Sequence, residues 1–260
     1  MIEIPSLRPE TRYGMPTADM LLFNRQYIVG YSTLFRQPRW AMELIDPLTQ
    51  SHQEEHLSRL NNFREDLRVP EMFRATLADY TASGYDRGHL ISSADRMSRS
   101  VLNSETFLLT NMSPQAPNFN RGVWKELEQA TRELAGHKDI VEVYMICGPL
   151  FNVGDPVDVI GPNKVVVPDA YFKSILAENR KGTLQMWTFA IPNKETKEHY
   201  SKFLVPTEDV ERWAGMALWD RLHGVAASTL RRKVSKIWPG GSPKKAGGKS
   251  AKKSAGVKKQ

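Results

Sequence analysis

The segment Ile140–Cys147 (IVEVYMIC), followed by Gly148 and Pro149, most constrains what this chain can fold into. It is nearly continuous in apolar, β-branched and aromatic residues and reads as a buried strand ended by the Gly-Pro pair. Val165–Val167, Tyr171–Leu176 and Leu184–Ile191 supply further strand-like runs, and Tyr27–Leu44 reads as two strands joined by a polar turn containing Pro38. Gly84 leads into Tyr85–Ile91 (YDRGHLI), which reads as a short strand or turn. Phe119–Gly136 has helical spacing, with Val123, Trp124, Leu127 and Leu134 on one face and Gly136 as its stop. Val210–Leu222 reads as a second amphipathic helix, with Trp213, Ala217 and Leu218 apolar. Strands and helices mix without regular βαβ alternation, so the expected class is α+β, with a mixed, largely antiparallel sheet flanked by helices.

Charge divides the chain unevenly. The formal net charge of +7 belongs to the C-terminal end: residues 244–260 hold seven Lys and no acid, while residues 1–230 carry 25 basic against 29 acidic side chains. The expected organisation is an N-terminal extension over 1–26, a catalytic domain over 27–230, and a basic, Lys-rich tail over 231–260 with too little apolar content to order itself. A phosphate-binding arm and a solubilising extension both fit that tail. Any polyanion site in the body must therefore come from local placement of Arg and Lys. Cys147, the single cysteine, forbids an internal disulfide, leaves too few thiols for a Cys-based zinc site, and reads as an inert core thiol. No run of about 18 apolar residues exists, and the first residues lack the secretory-signal pattern. The expectation is no membrane partner, with a cytoplasmic location or export by a non-classical route.

Two polar clusters carry chemistry. In Tyr85-Asp86-Arg87-Gly88-His89, a neutral His can take a proton from water, an Arg can bind phosphate oxygens bidentately, and a Gly allows close backbone approach. In the second, Asn111-Met-Ser-Pro-Gln115 precedes Asn118-Phe-Asn120-Arg121-Gly-Val-Trp124 and Glu128. Asn120, at a helix start, reads either as a cap or as an oxygen ligand for a hard cation. On a regular helix Glu128 lies about 80° around and roughly 12 Å along from Asn120. That separation suits a hold on a water of Mg²⁺ better than joint ligation, and equally suits an exposed helix charge.

YDRGHL followed by NMSPQ-x-x-NFNRGVW-x-x-LE resembles the DNA/RNA non-specific endonucleases, an endonuclease G-like family of the ββα-metal (His-Me finger) class. Phe63–Asp66 (FRED), RATLADYTASGYDRGH from Arg74, YMICGPLF, VPDAYFK and FAIPN follow in the same order, so the resemblance runs from about Val29 to Leu222. It implies a ββα-metal catalytic core and a sugar-non-specific, metal-dependent endonuclease that leaves 5′-phosphate ends on DNA and RNA. Residue by residue it implies His89 as general base and Asn120 as the one protein ligand of Mg²⁺, with Mn²⁺ as a substitute. Glu128 would hold a water of that ion, and Arg87 and, on a looser alignment, Arg64 would contact phosphate. Asp86, Asn111, Gln115 and Arg121 are expected to support the site or the substrate. A homodimer and an inhibitor protein are the partners expected besides nucleic acid.

Other readings compete with this one. A non-catalytic nucleic-acid-binding module and a phosphodiesterase for small nucleotides would use the same residues. His52 and His56, spaced i, i+4 among polar neighbours, read as a solvated helix rather than a zinc pair, and Trp238 reads as exposed at the tail junction.

Overall fold

The computed structural model describes residues 8–45, 58–152, 154 and 156–242. His52, His56 and the Lys-rich stretch beyond Ser242 lie outside the described residues. A seven-stranded, wholly antiparallel sheet forms the centre, built from β1 (Met20–Phe23), β2 (Tyr27–Ser32), β3 (Gln37–Ile45), β6 (Ile140–Leu150), β9 (Ala170–Asn179), β10 (Leu184–Pro192) and β11 (Leu204–Val205) in that spatial order. Two small hairpins stand apart from it: β4 (Asp86–His89) with β5 (Met112–Gln115), and β7 (Val159–Ile160) with β8 (Val165–Val166). Three longer helices are α1 (Lys125–Ala135), α2 (Thr207–Ala214) and α3 (Val225–Arg232). The α+β class with a largely antiparallel sheet and flanking helices is the observed architecture. No helix among the described residues is long and apolar enough to cross a membrane.

The sheet is covered on both faces, which is why β6 is continuously apolar from Val143 to Cys147 rather than alternating. Val143, Met145 and Cys147 of β6 point to one core with Phe119, Val123, Trp124 and Leu127. Tyr144 and Ile146 point to the other, with Trp40, Trp219 and the α2 residues Val210 and Ala214. Period-two alternation along one strand thus feeds two cores. The functional hairpin and α1 sit on the first face.

Four details differ from the sequence reading. Pro38 lies inside β3, opposite Tyr31 and beside a bulge at Gly30/Tyr31, rather than in the turn. The strand from Ile140 runs through Gly148–Pro149 to Leu150. β3 pairs with β6 only as far as Cys147, so the missing N–H of Pro149 breaks no ladder on that side. The expected helix Val210–Leu222 is instead α2, starting at Thr207 and stopping at Gly215, whose φ of +63° takes the left-handed cap that glycine adopts without strain. Trp238 is buried, not exposed: it packs against Trp187, Phe189 and Tyr200. Cys147 is fully buried, its thiol donates to the Leu90 carbonyl at 3.2 Å, and burial pushes its pKa up to about 12. That is an inert thiol.

The outer segments join the same body. β1, inside residues 1–26, is the edge strand of the main sheet, and α3 runs across residue 230.

Leu127 is fully buried one turn beyond Val123 and fastens α1 to the sheet. Leu127→Ala is expected to lower the unfolding free energy by about 2–5 kcal/mol. A urea titration followed by far-UV circular dichroism measures it, and a loss under 1 kcal/mol would refute this anchoring.

Candidate active site

β4 and β5 pair in the register Asp86–Gln115, Arg87–Pro114, Gly88–Ser113 and His89–Met112. A short helical turn (Pro117–Phe119), a π-helical turn (Asn120–Trp124) and α1 follow directly. Two strands and a helix therefore bring His89 and Asn120 together although 31 residues separate them in sequence. Gly88 is required by this hairpin: a Cβ there would sit 2.1 Å from Cδ of the buried Gln115. The hairpin is moored to the main sheet by Ser113 Oγ, which donates to Gln37 Oε1 at 2.6 Å, and by the Tyr171 hydroxyl, which donates to the Pro114 carbonyl at 2.8 Å. Asn111 fixes the chain leaving His89. It accepts from the Ile91 N–H at 3.0 Å and donates to the Ile91 and Thr106 carbonyls, both at 2.9 Å.

His89, Arg87, Asn120, Arg121 and Glu128 line one cleft of about 340 Å³ together with Arg59, Ser92, Lys125 and Arg132. Five cations and one acid face it, in a body whose residues 1–230 are net negative. Phosphate-binding charge is here a matter of local placement.

The imidazole of His89 is held edge-on by Phe63 and Phe107, with centroids at 5.7 and 5.0 Å. Its backbone carbonyl accepts from Trp124 Nε1 at 3.3 Å. Nε2 has no hydrogen-bond partner. Burial, then Arg59 and Arg87, push the imidazole pKa down to about 3, so the ring is neutral at physiological pH. Arg87 lies over the Phe63 ring at 4.2 Å and Arg59 over Phe107 at 5.2 Å. The aromatic pair that wedges the histidine thus also carries the two guanidinium groups.

Asp86 stands behind the cleft and organises its far wall. Its Oδ2 accepts from Asn120 Nδ2 at 2.9 Å, and both carboxylate oxygens accept from Arg121, at 2.9 and 2.6 Å. A carboxylate can only accept, so the bond commits the Asn120 amide nitrogen and turns Oδ1 away as a fixed acceptor. The π turn, with Gly122 at φ −104° and ψ −114°, interrupts the helix between Asn120 and Glu128. The regular-helix spacing of those two residues therefore does not hold. Glu128 is half-buried, and burial pushes its carboxyl up to about 7 against the opposing pull of Lys173, Arg132 and a Ser92 hydrogen bond.

Arg64 does not line the cleft. Its guanidinium donates to the Ser104 and Asn62 carbonyls at 2.9 and 3.2 Å, while its backbone bridges Phe107 and Leu109, which seats Phe63 against Phe107. Gln115 is buried as the spacer under Gly88. Arg59, Lys125 and Arg132 are the charged cleft residues that sequence reasoning missed, along with Ser92. Arg132 had a signal, since it lies four residues beyond Glu128 on the same helix face. In the cleft it is held by Asp95 at 2.9 Å. Arg59 had none, because only the fold brings its segment to the histidine.

Among the described residues no group of three or more His, Cys, Asp or Glu could hold a metal ion. Asn120, its amide nitrogen committed to Asp86, and Glu128 both line the cleft, and a neutral amide oxygen with one nearby carboxyl fits a hard cation keeping most of its waters.

Comparison with known proteins agrees with this geometry. The family profile described as DNA/RNA non-specific endonuclease matches residues 8–225. "Endonuclease G, mitochondrial" of Homo sapiens is 34% identical over 215 residues, covering 79% of this chain and 71% of that protein. "Mitochondrial nuclease" of Saccharomyces cerevisiae is 34% identical over 246 residues, covering 86% and 73%. Among solved structures, a crystal structure of the EndoG/EndoGI complex, concerned with the mechanism of EndoG inhibition, matches with a TM-score of 0.78. It is 31% identical and covers 86% of this chain and 94% of that one. A profile spanning most of the chain, relatives of this identity and a shared fold lead to one conclusion: the chain belongs to the DNA/RNA non-specific endonuclease family, enzymes that hydrolyse nucleic acids.

Proposed function

We propose that this chain is a metal-dependent, sugar-non-specific endonuclease that cleaves DNA and RNA with little sequence preference and leaves 5′-phosphate and 3′-hydroxyl ends. The observation that carries the reading is His89: a neutral imidazole with an unpartnered Nε2, in a cleft shared with the oriented Oδ1 of Asn120 and five cations. His89 takes the proton of the attacking water at Nε2. Arg87, Arg59 and Arg132 bind the non-bridging phosphate oxygens and stabilise the charge that builds there in the transition state. Glu128 orients water on the opposite wall. Asn120 would hold Mg²⁺, or Mn²⁺ in its place, and the ion would supply charge stabilisation of the phosphate and of the leaving 3′ oxygen. Asp86 is a positioning residue, fixing the amide of Asn120 and the guanidinium of Arg121. Contacts aimed at phosphate rather than base edges account for cleavage without sequence preference. A protein inhibitor covering this cleft is a further expected partner, by analogy with the EndoG/EndoGI complex.

His89→Ala is expected to lower cleavage of supercoiled plasmid in Mg²⁺ by at least about 100-fold with unchanged circular dichroism. A variant retaining a tenth of the wild-type rate would exclude the general-base role.

The charge state of His89 gives a second test. A histidine whose pKa falls from 6.5 unfolded to about 3 folded binds fewer protons in the native state, so stability declines as pH falls below 6.5. Wild type is expected to lose about 2 kcal/mol more than His89→Leu between pH 7 and pH 5, from 1.36 kcal/mol per unit. The His89 ring should show no NMR titration between pH 5 and 8; an inflection near 6.5 would refute its burial as a neutral base.

Asp86→Ala removes the acceptor that commits the Asn120 amide. The expected loss in activity is about 10–100-fold, with a raised Mg²⁺ requirement, read from kinetics over a Mg²⁺ series. Unchanged Mg²⁺ dependence would remove Asp86 from the positioning role.

A further inference from the structure

We propose that the hollow between Arg87 and Tyr85, next to the cleft, is a nucleobase subsite that takes the unpaired base of the nucleotide whose phosphate rests on Arg87. The proposal rests on the endonuclease reading above and names what the site recognises in its substrate besides phosphate.

The hollow has a volume of about 180 Å³ and is lined by Leu77, Tyr80, Thr81, Tyr85, Asp86 and Arg87. Arg87 is also a wall of the cleft, so one guanidinium serves both spaces. His89 and Arg87 both meet the Phe63 ring, at 5.7 and 4.2 Å, which puts them on one face of β4. Tyr85 lies two residues before Arg87, roughly 7 Å along an extended chain. Like Phe63, it packs against the small core of Tyr80, Leu109 and Met112. His89, Arg87 and Tyr85 thus follow one another at two-residue spacing along the hairpin.

The walls of this hollow are built into the fold. Ser83 Oγ donates to the Tyr80 carbonyl at 3.0 Å and accepts from the Tyr85 N–H at 3.2 Å, so one side chain spaces the two tyrosines. Gly84, at φ +82°, supplies the left-handed turn between them. The helical turn Leu77–Tyr80 is closed by Asp79, whose Oδ2 accepts from the Thr76 N–H at 2.7 Å. The other oxygen of that carboxylate accepts from the Asn163 N–H at 2.8 Å, in the β7–β8 turn. The small hairpin outside the main sheet therefore braces the back of the hollow. A preformed slot asks less ordering of its ligand than a loop that must close on it.

Charge decides which part of a nucleotide enters. Asp86 is a wall of the hollow, and the next space beyond Tyr85 is lined by Asp158 and Asp169. A phosphate pushed past Arg87 would meet these carboxylates and be repelled, whereas a neutral heterocycle is not. Arg87 therefore marks the boundary between phosphate and base. Tyrosine rings stack on bases of any sequence, because every base has a π face, so the subsite adds affinity without sequence preference. A base inside a duplex reaches the hollow only by leaving its pair, so the subsite acts on single strands.

The test uses the full chain carrying His89→Ala, in EDTA, binding a short oligothymidylate, a wholly abasic strand of the same length, and a duplex. The parent chain is expected to bind oligothymidylate about 5–100-fold more tightly than the abasic strand, the range that stacking of one base supplies. Adding Tyr85→Ala should remove that advantage while changing affinity for the abasic strand and the duplex by less than about twofold. Tyr85→Phe, which keeps the ring, should bind like the parent. Tyr85→Leu, which keeps an apolar packing group without a π face, carries the same expectation as Tyr85→Ala and replaces it if circular dichroism shows that variant unfolded. Equal affinity of the parent for the two single strands, or an equal loss on all three ligands, would overturn the subsite. Metal-dependent plasmid cleavage by the chain with His89 intact would then still uphold the endonuclease reading. The binding arms need no catalysis, so a chain that cleaves nothing would refute that reading and leave this test standing.

Discussion

Four antiparallel residue pairs, from Asp86 with Gln115 to His89 with Met112, set every distance at this site. So short a hairpin is not stable in water by itself. It holds its shape because Gln37, Tyr171 and Asn111 take up its side-chain and backbone hydrogen bonds from outside. Once it is held, its first strand aims His89 from one end and Asp86 from the other. The helix that follows has no freedom to place Asn120 elsewhere, because Asp86 already grips its amide. His89 and Asn120 are therefore positioned by one rigid element rather than by two loops, which keeps the two side chains in register.

Beneath the cleft the first sheet face buries an unusual amount of charge. Glu43 and Arg96 meet at 2.6 Å with almost no exposure, Asp95 pairs with Arg132, and Lys173 lies over the Trp124 ring at 4.5 Å. Such pairs carry large desolvation penalties and are weak evidence for stability. Their effect is on position and potential. Arg132 reaches the cleft braced by Asp95, and Glu128, pushed up by burial, is drawn back toward ionisation by Lys173 and Arg132. The fold accepts this cost where the cleft needs fixed charges in a partly dry setting, a condition under which electrostatic interactions strengthen.

The two faces of the sheet divide the work. The face packed by α2 and Trp219 is an apolar core closed by helix and loop. The other bears the hairpin, α1 and the aromatic cluster around Trp238. A single strand such as β6 serves both, and the continuous apolar run that marked it in the sequence reflects this double burial.

Much of this could be read in advance. The α+β class and the helix after Phe119 follow from local periodicity, while His89, Arg87, Asn120 and Glu128 stand out through the resemblance of YDRGHL and NFNRGVW-x-x-LE to the family, since chemistry and spacing alone left structural readings open for each. Arg64 was misjudged because an Arg upstream of the motif carries no mark of direction; its guanidinium turns to the Ser104 carbonyl, and Arg59 occupies the cleft. Trp238 was misread because a low-complexity neighbour says nothing about what a tryptophan packs against. The sequence by itself determined which chemistry is present, since that depends on residue type and short-range order. Only the tertiary structure decided which cations line the cleft, how the Asn120 amide is held and that Trp238 is buried. Those depend on contacts between segments far apart in the chain, and their energies exist only once the sheet has brought them together.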